Sequence, residues 1–347
     1  MKIVRFIVFY FIVFVQPNGG FAQQYRLIGL SNYLIPLHRK GAYIAKAFDK
    51  HNAEAVIKIE QDSSVLFRIH KGALCLKKKT VLDSLGGSIR YGLSIRINDV
   101  PMDVELVKDQ FAHNKVVAHR GAWKHHGVSE NSLGSLQKAF DIGCEGSEFD
   151  VWLSKDQVAF ICHDPSIAGK VIEKTNAVEL KKIPLLNNEF LPTLEDYIFK
   201  GKTQNKTALF LEIKTSNNGL NGTLALTDSV FAIVRRLKAE AWIKYISFSY
   251  DALLHLKKLD PFVSTAYLAG DKSIDQVKKD GLSGIDYSFY SLNEDKLLTS
   301  KAHRIGLSVN VWTVDDLNQL KLFRGQGVDL ITTNEPDELM NIVNGKL

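Results

Sequence analysis

The stretch Ser147-Glu148-Phe149-Asp150-Val151-Trp152-Leu153-Ser154-Lys155-Asp156-Gln157-Val158-Ala159-Phe160-Ile161-Cys162-His163-Asp164 decides the fold. It holds two apolar runs of strand length, 147–153 and 158–162, with only Ser154-Lys155-Asp156-Gln157 between them. A crossover joining parallel strands needs a dozen residues or more. Four residues suit an antiparallel return, which brings His163 back beside Glu148. A distorted entry of the second run into a parallel sheet is the other geometry left open. Within the first run Glu148 and Asp150 are two residues apart, so they face the same side of a strand and Phe149 faces the other. Two carboxylates aimed together repel unless a cation or a proton sits between them. The pattern therefore suggests a metal site.

Outward from this stretch, strand-like runs occur at 116–118, 208–213, 243–248, 263–267, 284–287, 307–312 and 328–331. Helical runs at 129–142, 224–241, 252–258, 274–279, 294–304 and 315–323 fill most of the gaps. Ser129 or Asn131 is the expected cap of the first. Alternating strands and helices over roughly 230 residues predict an α/β fold, a (β/α)8 TIM barrel spanning 111–347. The count is one strand too many for eight, and 158–162 is the natural candidate for the extra.

The remaining segments read differently. Lys2 and Arg5 flank the start of an apolar run at 6–15, and Gly20-Phe21-Ala22 follows. This is the layout of a signal peptide over 1–22, which predicts an exported protein, in a bacterial periplasm or outside the cell. The run is too short to span a bilayer, so no stable transmembrane segment is expected. Residues 23–110 predict a small all-β, sandwich-like domain, with strands at 55–59, 64–70, 73–76 and 91–97. Residues 43–51 suit a short helix, and 103–111 a linker. His38, His51 and His70 are scattered and suggest no metal. Cys75, Cys144 and Cys162 are too few and too spread for a disulfide framework or a zinc motif, and at least two suit buried thiols. A chain that is 45% hydrophobic and 24% charged is not disordered, and a net charge of +6 implies no nucleic-acid partner.

Several barrel strands end in reactive groups, where barrel sites form. These are His119-Arg120, Glu148 with Asp150, His163-Asp164, and Glu212 with Lys214. Glu148, Asp150 and Glu212 are hard oxygen donors that suit one divalent ion, Ca2+ or Mg2+. Arg120 and Lys214 can hold a phosphate, and His119 and His163 can act as acid and base. Together they point to phosphoryl transfer.

The region 116–338 resembles the glycerophosphodiester phosphodiesterase family. The resemblance rests on an ordered set. It begins Val117-Ala118-His119-Arg120-Gly121, Glu130-Asn131, Glu148-Phe149-Asp150-Val151 and His163-Asp164. It continues with Leu191-Pro192-Thr193-Leu194-Glu195, Leu211-Glu212-Ile213-Lys214, Val311-Trp312-Thr313-Val314 and Ile331-Thr332-Thr333-Asn334-Glu335-Pro336. It implies a phosphoinositide-phospholipase-like barrel that hydrolyses glycerophosphodiesters to glycerol 3-phosphate and an alcohol. It implies His119 and His163 as the acid–base pair, and Glu148, Asp150 and Glu212 as metal ligands. Arg120 and Lys214 become phosphate contacts, Trp312 a pocket wall, Glu130 a supporting carboxylate, and Asn131 a loop support or a helix cap.

The first loop, with His125 and His126, departs from the family pattern, and both histidines read as solvated. The lobe at 166–190 is short, which fits a small glycerophosphodiester substrate. Two other readings stay open: a phospholipase-type phosphodiesterase acting on intact phospholipid or phosphoinositide, and a non-catalytic phosphate- or carbohydrate-binding protein. The N-terminal domain offers a further partner surface, a homo-oligomer contact, or a cap on the barrel.

Overall fold

The computed structural model describes residues 28–49 and 55–346. The expected signal peptide and His51 lie outside the described residues.

Residues 28–108 form two four-stranded sheets on one core. One sheet orders β1 (Gly29–Leu30), β3 (Tyr43–Phe48), β6 (Ala73–Leu76) and β5 (Phe67–His70). The other orders β2 (Leu34–Ile35), β8 (Val100–Lys108), β7 (Arg90–Ile97) and β4 (Ile57–Gln61). Ile44, Leu74 and Leu76 of the first sheet share their core with Ile57, Ile95, Ile97 and Leu106 of the second. Two expectations are overturned. The helix expected at 43–51 is strand β3 as far as Phe48, hydrogen-bonded between β1 and β6. So short a segment has little helix energy of its own to oppose two ladders. The linker expected at 103–111 is strand as far as Lys108, paired with β7 from Ile97↔Val100 to Arg90↔Val107. Charged Asp103 and Glu105 on its outer face disguise the inward alternation of Val104 and Leu106.

Eight parallel strands then close a barrel. They are β9 (Val116–Ala118), β10 (Gly146–Leu153), β14 (Ala208–Ile213), β15 (Ile243–Ser247), β16 (Thr265–Tyr267), β17 (Gly284–Ser288), β18 (Ser308–Trp312) and β19 (Leu330–Thr333). β19 pairs with β9 and β9 with β10, which seals the ring. The extra strand β11 (Ala159–Ile161) is the antiparallel return, with Leu153 opposite Ala159 and Val151 opposite Ile161. A small lobe follows, containing the hairpin of β12 (Ser166–Ile167) and β13 (Lys170–Val171).

The helix Leu133–Ile142 is capped by neither expected residue. Ser132 accepts from the Ser135 amide, and the Ser135 hydroxyl accepts from the Ser132 amide. The helix expected at 224–241 is Gly219–Arg236, and that expected at 294–304 starts only at Leu298 and runs to Arg304, after a separate helix Phe289–Glu294. All three cysteines are free and buried. No described helix is long and apolar enough to cross a membrane.

The β-unit sits at the barrel end where the strands begin. Buried Arg235 closes the helix Gly219–Arg236 and bonds Glu240 and Asp260, each at 3.1 Å, the Ile28 carbonyl at 3.1 Å, and the Tyr33 hydroxyl. The Asn205 amide donates to the Lys108 carbonyl at 2.8 Å. This end is therefore covered, and the end where the strands finish carries the open mouth.

Candidate active site

Alternation along two neighbouring strands builds the centre. On β10, Phe149 and Val151 pack outward into the main core, which turns Glu148 and Asp150 into the barrel. On β14, Leu211 and Ile213 pack outward and Glu212 turns inward. Asp150 and Glu212 are register partners. Glu148, Asp150 and Glu212 each bring an oxygen within 4.8 Å of the other two, and all three are buried.

The charges interact strongly. The Lys214 ammonium bonds Asp150 Oδ1 at 3.1 Å and Glu212 Oε1 at 2.9 Å. Burial raises Glu148 well above the usual carboxylate range, and the charges of Asp150 and Glu212 add to this. Burial also raises Glu212, with Asp150 adding and Lys214 opposing. Burial pushes Asp150 the same way, but Lys214, His163 and the Asn131 amide outweigh it and leave Asp150 below its ordinary value. Burial disfavours the Lys214 charge, yet its two carboxylates hold it above its ordinary value.

A tight turn after β9 carries His119 and Arg120. Arg120 has φ +58° and Gly121 +77°. A Cβ on Gly121 would lie 2.4 Å from the Ser135 hydroxyl, so only glycine fits. The Arg120 amide donates to Glu148 Oε2 at 2.9 Å. The Arg120 guanidinium grips both oxygens of Glu130, at 3.1 and 2.9 Å, and its buried Nε has no partner. Asn131 does not cap the helix. Its amide donates to Asp150 Oδ2 at 2.8 Å and its oxygen accepts from the Asp150 amide at 3.2 Å.

The histidines have different supports. His119 Nδ1 lies 2.9 Å from Asn334 Oδ1, and the Asn334 amide in turn donates to Asp315 at 2.8 Å. An amide oxygen only accepts, so Nδ1 carries the proton and Nε2 keeps the lone pair. Burial, with the Arg120 charge beside it, lowers His119 to about 4. His163 Nδ1 lies 2.7 Å from Asp164 Oδ1, and its ring is partly exposed.

His119, Arg120, Glu148, His163, Glu212, Lys214 and Trp312 line one pocket of about 130 Å³ at the mouth. Asp150 lies behind it, and Glu130 and Asn131 reach it through Arg120 and Asp150. Trp312 stacks edge-on against Phe248 and donates its indole N–H to the Asp286 carbonyl at 2.8 Å. His125 is exposed, as expected, with Nε2 3.3 Å from Glu335, whereas His126 is only partly exposed and its Nε2 lies 2.9 Å from Asp337. Sequence reasoning assigned no role to Asn334, Asp315 or Asp286. Asn334 stood inside a quoted motif and could have been found there, whereas nothing local marks the other two.

The donor set fits a hard divalent cation, since all three groups are carboxylates. One ammonium against three carboxylates leaves excess negative charge, which adds to burial in driving Glu148 and Glu212 toward protonation. These features place a buried carboxylate cluster able to hold a divalent ion beside two histidines and Arg120 at the strand ends of a parallel barrel.

The chain belongs to the glycerophosphoryl diester phosphodiesterase family, whose model matches residues 119–338. A glycerophosphodiester phosphodiesterase structure from Parabacteroides distasonis is 36% identical, with a TM-score of 0.65, over 68% of this chain and 99% of that one. A Galdieria sulphuraria structure described as a putative glycerophosphodiester phosphodiesterase is 27% identical, with a TM-score of 0.59, over 66% and 97%. A glycerophosphodiester phosphodiesterase from Caldanaerobacter subterraneus is 24% identical over 66% of this chain and 97% of its own length. The family match begins after the β-unit.

Proposed function

We propose that this protein hydrolyses glycerophosphodiesters to glycerol 3-phosphate and an alcohol, outside the cytoplasm, using one calcium or magnesium ion held by Glu148, Asp150 and Glu212. The observation that carries this reading is the gathering of that carboxylate cluster, two histidines and Arg120 at one barrel mouth. A bound divalent ion supplies charge neutralisation at a phosphate oxygen. The unpartnered Arg120 Nε suits a second phosphate oxygen, and Lys214 adds positive potential beside it. His119 presents the lone pair of Nε2 and takes a proton from the attacking oxygen. His163, whose Nδ1 lies 2.7 Å from Asp164 Oδ1, protonates the leaving alcohol. Glu130 and Asn131 orient Arg120 and Asp150. Trp312 and Phe248 form an apolar wall for the carbon skeleton of the ester.

The test is release of glycerol 3-phosphate from glycerophosphocholine, glycerophosphoethanolamine and glycerophosphoglycerol, with calcium, magnesium or a chelator. Release that needs metal and falls about a hundredfold or more in His119→Ala is expected. Formation of lysophosphatidic acid and choline from lysophosphatidylcholine, with no glycerol 3-phosphate from the soluble esters, would move the substrate to acylated esters. No release from any ester under either metal would overturn the reading.

A further inference from the structure

The β-unit carries a cationic face that the barrel chemistry does not use. Backbone hydrogen bonds hold two of its turns together, although they are some forty residues apart in sequence. The His38 amide donates to the Leu82 carbonyl at 2.8 Å, and the Gly41 amide to the Thr80 carbonyl at 2.9 Å. An ideal Cβ on Gly41 would lie 3.4 Å from the Lys78 Cα. One turn carries Arg39 and Lys40, and the other Lys77, Lys78 and Lys79. All five side chains are exposed, and none forms an ion pair among the described residues. By contrast Lys108, the last residue of β8, and Gln110 just beyond it are tied to the same loop through the carbonyls of Gly86 at 2.7 Å and Ser84 at 3.0 Å.

That pinned loop also presents apolar groups. Val81 is 49% exposed and Leu85 81% exposed. The one acidic side chain between Lys77 and Leu85 is Asp83, whose oxygen accepts from the Leu85 amide at 3.0 Å and shapes the tip. The charge is also unevenly shared along the chain. Residues 28–108 hold 13 Lys and Arg against 8 Asp and Glu, whereas 109–347 hold 28 against 30. The surplus of the folded chain thus resides in the unit at the closed end.

We propose that this face, Arg39, Lys40 and Lys77–Lys79 with Val81 and Leu85 beside them, docks the protein on an anionic phospholipid bilayer. Clustered cations attract the negative headgroup layer. An exposed leucine next to such a cluster gains by entering the headgroup–acyl boundary, which a purely soluble polyanion does not offer. Because the unit covers the closed end, docking leaves the mouth open to water and to small esters. The inference is independent of the reaction proposed above, since no residue of this face lines the pocket.

The test is co-sedimentation of the full chain with phosphatidylcholine vesicles and with vesicles that include phosphatidylglycerol. The readout is the increment in binding that phosphatidylglycerol adds, which cancels whatever neutral vesicles retain through residues 1–27. Each cation near an anionic surface is worth roughly fivefold in affinity. The triple variant Lys77→Gln, Lys78→Gln, Lys79→Gln should lower the increment about a hundredfold, and added salt should also lower it in the wild type. Leu85→Ser should lower the part that survives salt. Both variants should keep wild-type turnover of a soluble ester, which shows that they fold. An increment unchanged by the charge neutralisation overturns the proposal. So does binding to heparin or RNA without binding to the anionic vesicles.

Discussion

Asp286 offers a sharp test of how this barrel interior is built. It points inward from β17, where it borders both the mouth pocket and a second cavity of about 340 Å³ near the closed end. It is 1% exposed, and its Oδ1 has no hydrogen-bond partner. Burial raises its carboxyl from 3.8 to about 7, and a hydrogen bond from Asn310 only partly opposes this. Below the unfolded value both states hold the proton and the group is neutral in stability. Between the two values the unfolded chain loses its proton first, so stability falls as pH rises, and the loss is complete above the folded value. A shift of about 3 units at about 1.4 kcal/mol each amounts to ~4 kcal/mol. Asp286→Asn keeps the shape and removes the titration. In urea unfolding the variant should gain little over the wild type near about pH 4 and ~4 kcal/mol by about pH 8. A gap that stays constant over that range would refute the reasoning, because it would mean that the carboxyl ionises as easily in the fold as in the open chain.

Three other perturbations follow from the same geometry. Asn131→Ala leaves both the Asp150 amide and one Asp150 oxygen without a partner, so unfolding free energy should fall by about 1–3 kcal/mol. Calorimetric metal affinity should weaken about 10- to 100-fold in the same variant. Arg235→Ala strands Asp260 and Glu240 beneath the β-unit, and chemical denaturation should show a loss of about 3–5 kcal/mol. Gly121→Ala forces a Cβ into Ser135 at a positive φ, so turnover should drop together with thermal stability. A Gly121→Ala protein of unaltered activity would show that the His119–Arg120 turn tolerates another conformation.

Much of the barrel could be read directly, because its evidence is local. Parallel strands buried on both faces read as short apolar runs, and the helices between them keep their own period. The four-residue gap before Val158 left an antiparallel arm or a distorted parallel entry, and the ladder with β10 decided for the arm. The small unit was harder. Tyr43–Phe48 looks ambiguous in isolation and becomes a strand only when β1 and β6 take its backbone groups. Asp103 and Glu105 hid β8 because they occupy its outward positions. The cap at Ser132 was missed because Ser129, Asn131 and Ser132 can all cap and lie within four residues, and the turn that carries Asn131 to Asp150 decides among them.

For the candidate site, sequence by itself determined which carboxylates and histidines gather at the strand ends. Their types, their spacing of two along β10 and β14, and their positions at strand ends suffice, since alternation on a strand is fixed by covalent geometry. Tertiary structure alone decided who supports them. Asn334 reaches His119 from more than two hundred residues away, Asp315 anchors Asn334, and Lys214 turns back onto Asp150 and Glu212. It also decided that the β-unit covers the closed end and that two lysine- and arginine-bearing turns share one face. Those contacts join residues distant along the chain, and which distant residues meet depends on how the barrel closes rather than on any local pattern.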